Sequence, residues 1–209
     1  MTSPLGSIFS TSHPANLACR RPVPQSGQTR ILRQHRIASR KYTRGERAAD
    51  HVCSIESLAD KVAQLTVGSP SDPSTDVSAL IDPGESDRVE SLISQATAQG
   101  ARIVVGGSRA EPNVLSPTLL DGVHPDMAVC RNEVFGPVVG VAPYDSFDDA
   151  LALANDTRYG LQAAVFTRDI AKAHKFARSV RAGTVWVNCY DVFDAGAPFG
   201  GFKMSGMGR

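Results

Sequence analysis

Cysteine is scarce and scattered in this chain. Cys19, Cys53, Cys130 and Cys189 form no C-x-x-C pair, and none has a histidine at zinc-ligand spacing. The histidines, His13, His35, His51, His124 and His174, are equally isolated. These absences argue against a disulfide scaffold and a structural zinc site, and they make a reducing compartment the expectation. Long apolar runs are missing too. Nothing approaches the roughly 18 residues that a membrane-spanning helix needs, and the longest run poor in charge, around Phe135 to Ala142, is strand-sized. A surplus of charge is also lacking: the formal net charge is +1, which gives no electrostatic case for nucleic acid or a membrane as the main partner. The expectation is a soluble, cytoplasmic protein.

What is present is unequally distributed. Residues 1–50 hold nine Lys and Arg against Glu46 and Asp50, with four prolines and little periodicity. Residues 1–51 therefore read as a basic, weakly structured head. Three origins remain open for it: an organelle transit peptide over residues 1–45, which would make the protein mitochondrial, a phosphate-touching basic arm, or a non-native start.

From Cys53 the chain alternates helix and strand signals. Ile55, Leu58, Val62 and Leu65 fall at helical spacing, stopped by Val67-Gly68-Ser69-Pro70. A second helix is predicted from Ser86 as N-cap, with Val89, Leu92, Ile93 and Ala96 on one face and Gly100 past its end. Strands are predicted at Arg102 to Val105, Pro137 to Val141, Gln162 to Thr167 and Thr184 to Asn188. Between them lie a helix opened by a Ser146/Asp149 capping box, carrying Phe147, Ala150, Leu151 and Ala154, and one opened by Asp169. The latter carries Ile170, Ala173, Phe176, Ala177 and Val180. Strands separated by helices of this length imply an α/β fold with a largely parallel sheet and flanking helices.

Two stretches could carry chemistry. Gly200-Gly201-Phe202-Lys203-Met204-Ser205-Gly206 has neither Walker nor G-x-G-x-x-G spacing, so by itself it reads more readily as structural than as phosphate-binding. Asn132-Glu133-Val134-Phe135-Gly136-Pro137 could set a carboxylate and a phenyl ring at the mouth of the following strand. Equally, it could be a turn with Glu133 solvated and Phe135 in the core.

Taken together and in order, Glu133-Val134-Phe135-Gly136-Pro137, Leu153-Ala154-Asn155-Asp156-Thr157-Arg158-Tyr159-Gly160-Leu161, Gly183-Thr184-Val185-Trp186-Val187-Asn188 and Pro198-Phe199-Gly200-Gly201-Phe202-Lys203-Met204-Ser205-Gly206 resemble the aldehyde dehydrogenase superfamily. The resemblance spans residues 52–209 and implies a segment of that family's catalytic domain, incomplete at both ends. It implies NAD or NADP as cofactor, a small-molecule aldehyde as substrate, and a homo-oligomer in the complete form. It assigns Glu133 to the nicotinamide ribose hydroxyls, which suit a carboxylate's two acceptor oxygens. It sets Phe135 beside the nicotinamide and makes Phe193 and Phe199 walls of an apolar aldehyde tunnel.

The same resemblance implies what this chain does not supply. The family reaction uses a cysteine thiolate, an oxyanion amide, a dinucleotide domain and a glutamate base. In the family the last three lie N-terminal to the matched region. The nucleophile's N-x-G-Q-x-C context has a partial counterpart in Ser26-Gly27-Gln28-Thr29-Arg30, where an arginine stands in the cysteine's place. Cys53 precedes a helix, a position that lowers a thiol pKa, yet neither it nor Cys130 or Cys189 matches a nucleophilic position. No catalytic residue is therefore assigned, and the chain alone is expected to be inactive. A non-catalytic remnant that associates with full-length subunits is the alternative. An unrelated nucleotide-binding module is a third reading, which the ordered motifs disfavour.

Overall fold

The computed structural model describes residues 7–11, 36–40 and 48–208, with side chains from residue 55 onward. Strands β1 (Ser7–Thr11) and β2 (Arg36–Arg40) precede helix α1 (Ala48–Ala63) and helix α2 (Pro83–Ala98). Next come β3 (Arg102–Val105), a small hairpin of β4 (Arg109–Glu111) and β5 (Val114–Leu115), β6 (Thr118–Asp121) and the short α3 (Ala128–Arg131). The chain continues through β7 (Val138–Tyr144), α4 (Phe147–Asn155), β8 (Gln162–Phe166), α5 (Ile170–Ser179) and β9 (Thr184–Val187), and closes on a 3-10 turn at Lys203–Ser205.

One seven-stranded sheet runs in the order β3-β6-β7-β2-β1-β8-β9. The α/β reading holds, with helices on both faces. Pairing is parallel at β6–β7, β2–β7 and β8–β9, and antiparallel at β1–β2, β1–β8 and β3–β6. The sheet is thus mixed. Parallel neighbours β8 and β9 are joined by a crossover helix, whereas β3 returns to β6 through the β4–β5 hairpin and so runs against it. The head, expected to be weakly structured, contributes β1 and β2. Strand pairing can recruit residues whose side chains show no hydrophobic period, so composition alone does not exclude it.

Sheet alternation sorts the core into two faces. On one, Ile55, Leu58 and Val62 of α1 pack on Leu119, Val139, Val141, Ala164 and Trp186. On the other, Val89, Ile93 and Ala96 of α2 pack on Leu120, Val138 and Ala142, while Ala150, Ala154 and Phe176 of α4 and α5 cover Ala163 and Val165. Phe176 is fully buried; a side chain of that size contributes about 1.5–3 kcal/mol through area removed from water.

Local signals mostly act as the sequence predicts. Ser146 accepts from the Asp149 amide at 3.1 Å and Asp149 Oδ2 accepts from the Ser146 amide at 3.0 Å, completing the capping box of α4. Asp169 caps α5 through the amides of Ala171 and Lys172. Three expectations need correction. The N-cap of α2 is Asp82, which accepts from the Glu85 amide at 2.9 Å; Pro83 occupies the first helical turn, where its missing N–H costs nothing, and Ser86 lies buried inside the helix. Ile170 is 69% exposed and Ala177 is exposed as well, so the face of α5 that packs on the sheet is Ala173 and Phe176, with Val180 just past its end. β7 continues to Tyr144, past the predicted end at Val141.

Candidate functional site

The loop between α3 and β7 is built to present two side chains. Arg88 on α2 donates through Nη2 to the Val134 carbonyl at 2.6 Å, while its Nε donates to Glu85 Oε2 at 2.9 Å. Gly136 lies against α2 so closely that a Cβ there would stand 3.0 Å from a Val89 methyl carbon. Between these anchors Phe135 adopts φ 47°, left-handed backbone that a bulky residue rarely takes and that stores about 1–3 kcal/mol. Phe135 is 38% exposed there. Tethering on both sides holds the strained turn open.

Glu133 and Phe135 line a cleft of about 420 Å³ together with Arg88, Leu92, Asn132, Arg158 and Tyr159. Arg158 donates to Asn132 Oδ1 at 2.8 Å and lies 5.3 Å from the Tyr159 ring centroid, which fixes the far wall. Glu133 Oε1 is buried and has no hydrogen-bond partner among the described residues. Burial pushes the carboxyl from 4.5 up to about 7, because the charged form has lost water and gained no donor. One oxygen is sealed while the group as a whole is only half buried, so the accessible part of the carboxyl is what the cleft offers to a ligand.

A second cluster forms where β9 ends. Asn188, at φ 56°, accepts from the Thr167 amide at 2.8 Å and donates to the Thr167 carbonyl at 2.9 Å, pinning the loop to the end of β8. Trp186 Nε1 donates to the Val192 carbonyl at 2.9 Å. Its ring lies 4.8 Å from Tyr190 and 5.4 Å from Phe193, and Phe193 in turn meets Phe199 edge-on at 5.3 Å. Phe193 is 56% exposed and Phe199 39%, so both rings present a face to the outside. The wall is aromatic and open.

Structure therefore unites Glu133 with Phe135 and Phe193 with Phe199, but as separate groups; neither Phe193 nor Phe199 lines the cleft of Glu133. Sequence reasoning gave no role to Arg88, Arg158, Trp186 or Tyr190; Arg158 and Trp186 lie within the family-like stretches and Tyr190 just beyond one, so only Arg88 carried no signal at all.

The Gly-rich C-terminal stretch is structural. Lys203 Nζ donates to the carbonyls of Asn155 at 2.8 Å and Thr157 at 2.9 Å, and Ser205 Oγ accepts from the Gly160 amide at 3.1 Å. Its ammonium is held below the ordinary lysine range, mainly by burial and then by the nearby Arg181 charge. Among the other candidates, Cys130 and Cys189 are half-buried thiols packed against the apolar cores. Cys53 falls in α1 where no side chain is described, and Ser26-Gly27-Gln28-Thr29-Arg30 lies outside the described residues. No group of three or more His, Cys, Asp or Glu able to hold a metal occurs among the described residues, and no helix among them is long and apolar enough to cross a membrane.

The sequence model of the aldehyde dehydrogenase family matches residues 37–209. The chain is 40% identical over 163 residues to 4-trimethylaminobutyraldehyde dehydrogenase A of Danio rerio, covering 74% of this chain and 32% of that protein. It is 43% identical over 162 residues to an acetaldehyde dehydrogenase of Pseudomonas aeruginosa, with the same coverage of each. Among solved structures, an aldehyde dehydrogenase of Mycobacterium tuberculosis complexed with NAD+ superposes with a TM-score of 0.70 at 40% identity, over 78% of this chain and 34% of that one. The chain spans about a third of the length of the curated relatives it matches.

Proposed function

The chain belongs to the aldehyde dehydrogenase family, and from that premise we propose that it is the segment of an NAD(P)+-dependent oxidoreductase that holds the nicotinamide ribose and walls the aldehyde. The complete form converts an aldehyde to a carboxylic acid. Glu133 and Phe135 are its cofactor-binding residues, and Phe193 and Phe199 its substrate-binding residues. Residues 52–209 act as the catalytic-domain segment and residues 1–51 as a basic head whose strands β1 and β2 join its sheet, with the cytoplasm as the compartment and the mitochondrion as the alternative if the head is a transit peptide.

The observation that carries this reading is Glu133 lining the cleft beside Phe135 with a carboxylate that is half buried and has one oxygen, Oε1, without a hydrogen-bond partner among the described residues. A sugar diol offers two O–H donors to one carboxylate, and the charged form gains from both. The exposed face of Phe135 shields such a ligand from water, and the planar ring suits a flat partner. When bound, NAD(P)+ supplies the hydride acceptor. Phe193 and Phe199 offer an aldehyde contacts without competing donors or acceptors.

In the one stretch that partly resembles the family's nucleophile context, Ser26-Gly27-Gln28-Thr29-Arg30, arginine stands in the thiol's place, and these 209 residues by themselves are expected to oxidise no aldehyde. The alternative role is association with full-length subunits, ultimately a homo-oligomeric assembly. The exposed Val192, Met204 and Met207 support it as apolar surface near the C-terminal stretch. Calorimetric titration of the chain with NAD+ and NADP+ tests the main reading. Glu133→Gln is expected to weaken binding about tenfold, the worth of a charge-assisted hydrogen bond. Unchanged affinity would remove Glu133 from the site. Aldehyde-dependent NADH formation by the chain alone, lost on Cys53→Ser or Cys189→Ser, would overturn the expectation of inactivity.

A further inference from the structure

β8 carries one anomaly. The strand reads Gln162-Ala163-Ala164-Val165-Phe166, and Gln162 is only 4% exposed at the head of an otherwise apolar run. By strand alternation its side chain shares a face with Ala164 and Phe166, the face that packs with Trp186 and Tyr190. Its Nε2 donates to the Tyr190 hydroxyl oxygen at 2.9 Å. A buried amide is unfavourable unless bonded, and this contact satisfies its donor side.

Tyr190 needs such an anchor. It sits between Asn188 at φ 56° and Asp191 at φ 59°, two non-glycine residues in left-handed backbone. The Asn188 clamp on Thr167 fixes the first, and the Gln162 bond restrains the tyrosine ring that follows. From Tyr190 the contacts run on without a break: Tyr190 to Trp186, Trp186 to Phe193 and Phe193 to Phe199. Orientation set at Gln162 is passed along by ring packing, which has few alternative arrangements once one ring is fixed.

We propose that Gln162 is the positioning residue of the aromatic wall, holding Tyr190 so that Phe193 and Phe199 favour bulky apolar aldehydes over small ones. This rests on the reading that Phe193 and Phe199 face the aldehyde. Gln162 itself touches no substrate; it acts through Tyr190 and Trp186.

The chain provides its own reporter, since Trp186 is the sole tryptophan. The full chain is titrated with cyclohexylmethanol and with ethanol, unreactive isosteres of a bulky and a small aldehyde, and Trp186 emission is followed. Gln162→Leu and Tyr190→Phe are each expected to lower the affinity ratio of the two ligands by about threefold, as loss of one neutral hydrogen bond implies, and the double variant no further. Phe193→Ala should abolish the preference. A merely structural role would lower the melting temperature and leave the ratio alone. An unchanged ratio in Gln162→Leu and Tyr190→Phe, with the preference lost in Phe193→Ala, overturns the positioning role while the wall stands. A preference that survives Phe193→Ala removes the wall reading, and this inference with it. Should Gln162→Leu fail to fold, Tyr190→Phe, which deletes the hydroxyl and keeps the ring, decides alone.

Discussion

Replacing Glu133 by glutamine should make the chain more stable at neutral and alkaline pH, and leave it unchanged in acid. The folded carboxyl titrates at about 7, above its ordinary 4.5, so between those values the folded state binds more protons than the unfolded one. Stability attributable to this group is therefore greatest below about pH 4.5, falls as pH rises through the window, and levels off above pH 7. A shift from 4.5 to about 7 corresponds to roughly 3 kcal/mol if none of the interaction were screened. The group is only half buried, and solvent reduces the effect to about 1 kcal/mol. Glutamine keeps the shape and never ionises, so it removes the penalty that appears with the anion. Urea unfolding at about pH 4 and pH 8 reads this directly. The variant's midpoint should match the parent's at the lower pH and exceed it at the higher, with the slope unchanged. A variant equally or less stable at pH 8 would refute the reasoning, because Glu133 would then have a partner that stabilises its charge. The same substitution should weaken NAD+ binding, so that stability and affinity move in opposite directions.

Three further outcomes follow from the packing. Phe176→Ala, at a fully buried position between α5 and the sheet, should cost about 3–5 kcal/mol in urea unfolding. Gly183→Ala would set a Cβ 1.6 Å from the Gly200 carbonyl oxygen, so the C-terminal stretch must detach; limited proteolysis should show faster cleavage around residues 200–206. Lys203→Met removes the hydrogen bonds from Nζ to the Asn155 carbonyl at the end of α4 and the Thr157 carbonyl just past it, and should lower stability by about 1–3 kcal/mol, seen as a lower melting temperature.

Elements with local punctuation were legible in the sequence. The Ser146 capping box, the Asp169 cap and Gly100 after α2 state their own boundaries, and the structure keeps them. The start of α2 was misplaced because Asp82-Pro83 and Ser86 both look like helix openings, and only packing shows that Ser86 is interior. β6 went unassigned as a strand because Thr118-Leu119-Leu120-Asp121 is too short to show alternation; pairing with β3 and β7 defines it. In the candidate site, the E-x-F-G-P resemblance pointed to Glu133 and Phe135. Arg88 was invisible, because a helix residue holding a carbonyl 46 positions away leaves no trace in local pattern. Gln162 was read as an ordinary strand residue for the same reason: its partner, Tyr190, is brought to it by tertiary structure alone.

The two aromatic surfaces differ in how they are held, and that difference bears on what each can do. Phe135 is set by backbone: φ 47°, a carbonyl tether from Arg88 and the close approach at Gly136 leave its turn little freedom. Such a site is preorganised, and a ligand ordering against it loses little further entropy. Phe193 and Phe199 are set by side-chain packing on Trp186 and by loop contacts such as the Asp194 turn, where the Gly196 amide donates to Asp194 Oδ1 at 2.7 Å. Rings held by neighbouring rings can shift together when a substituent changes, while a strained turn cannot shift by degrees. A rigid turn suits a ligand that never varies, as a cofactor's ribose does not. A ring-packed wall suits a variable one, and substitutions along Gln162, Tyr190 and Trp186 should therefore retune aldehyde choice while leaving the affinity for NAD+ as it was.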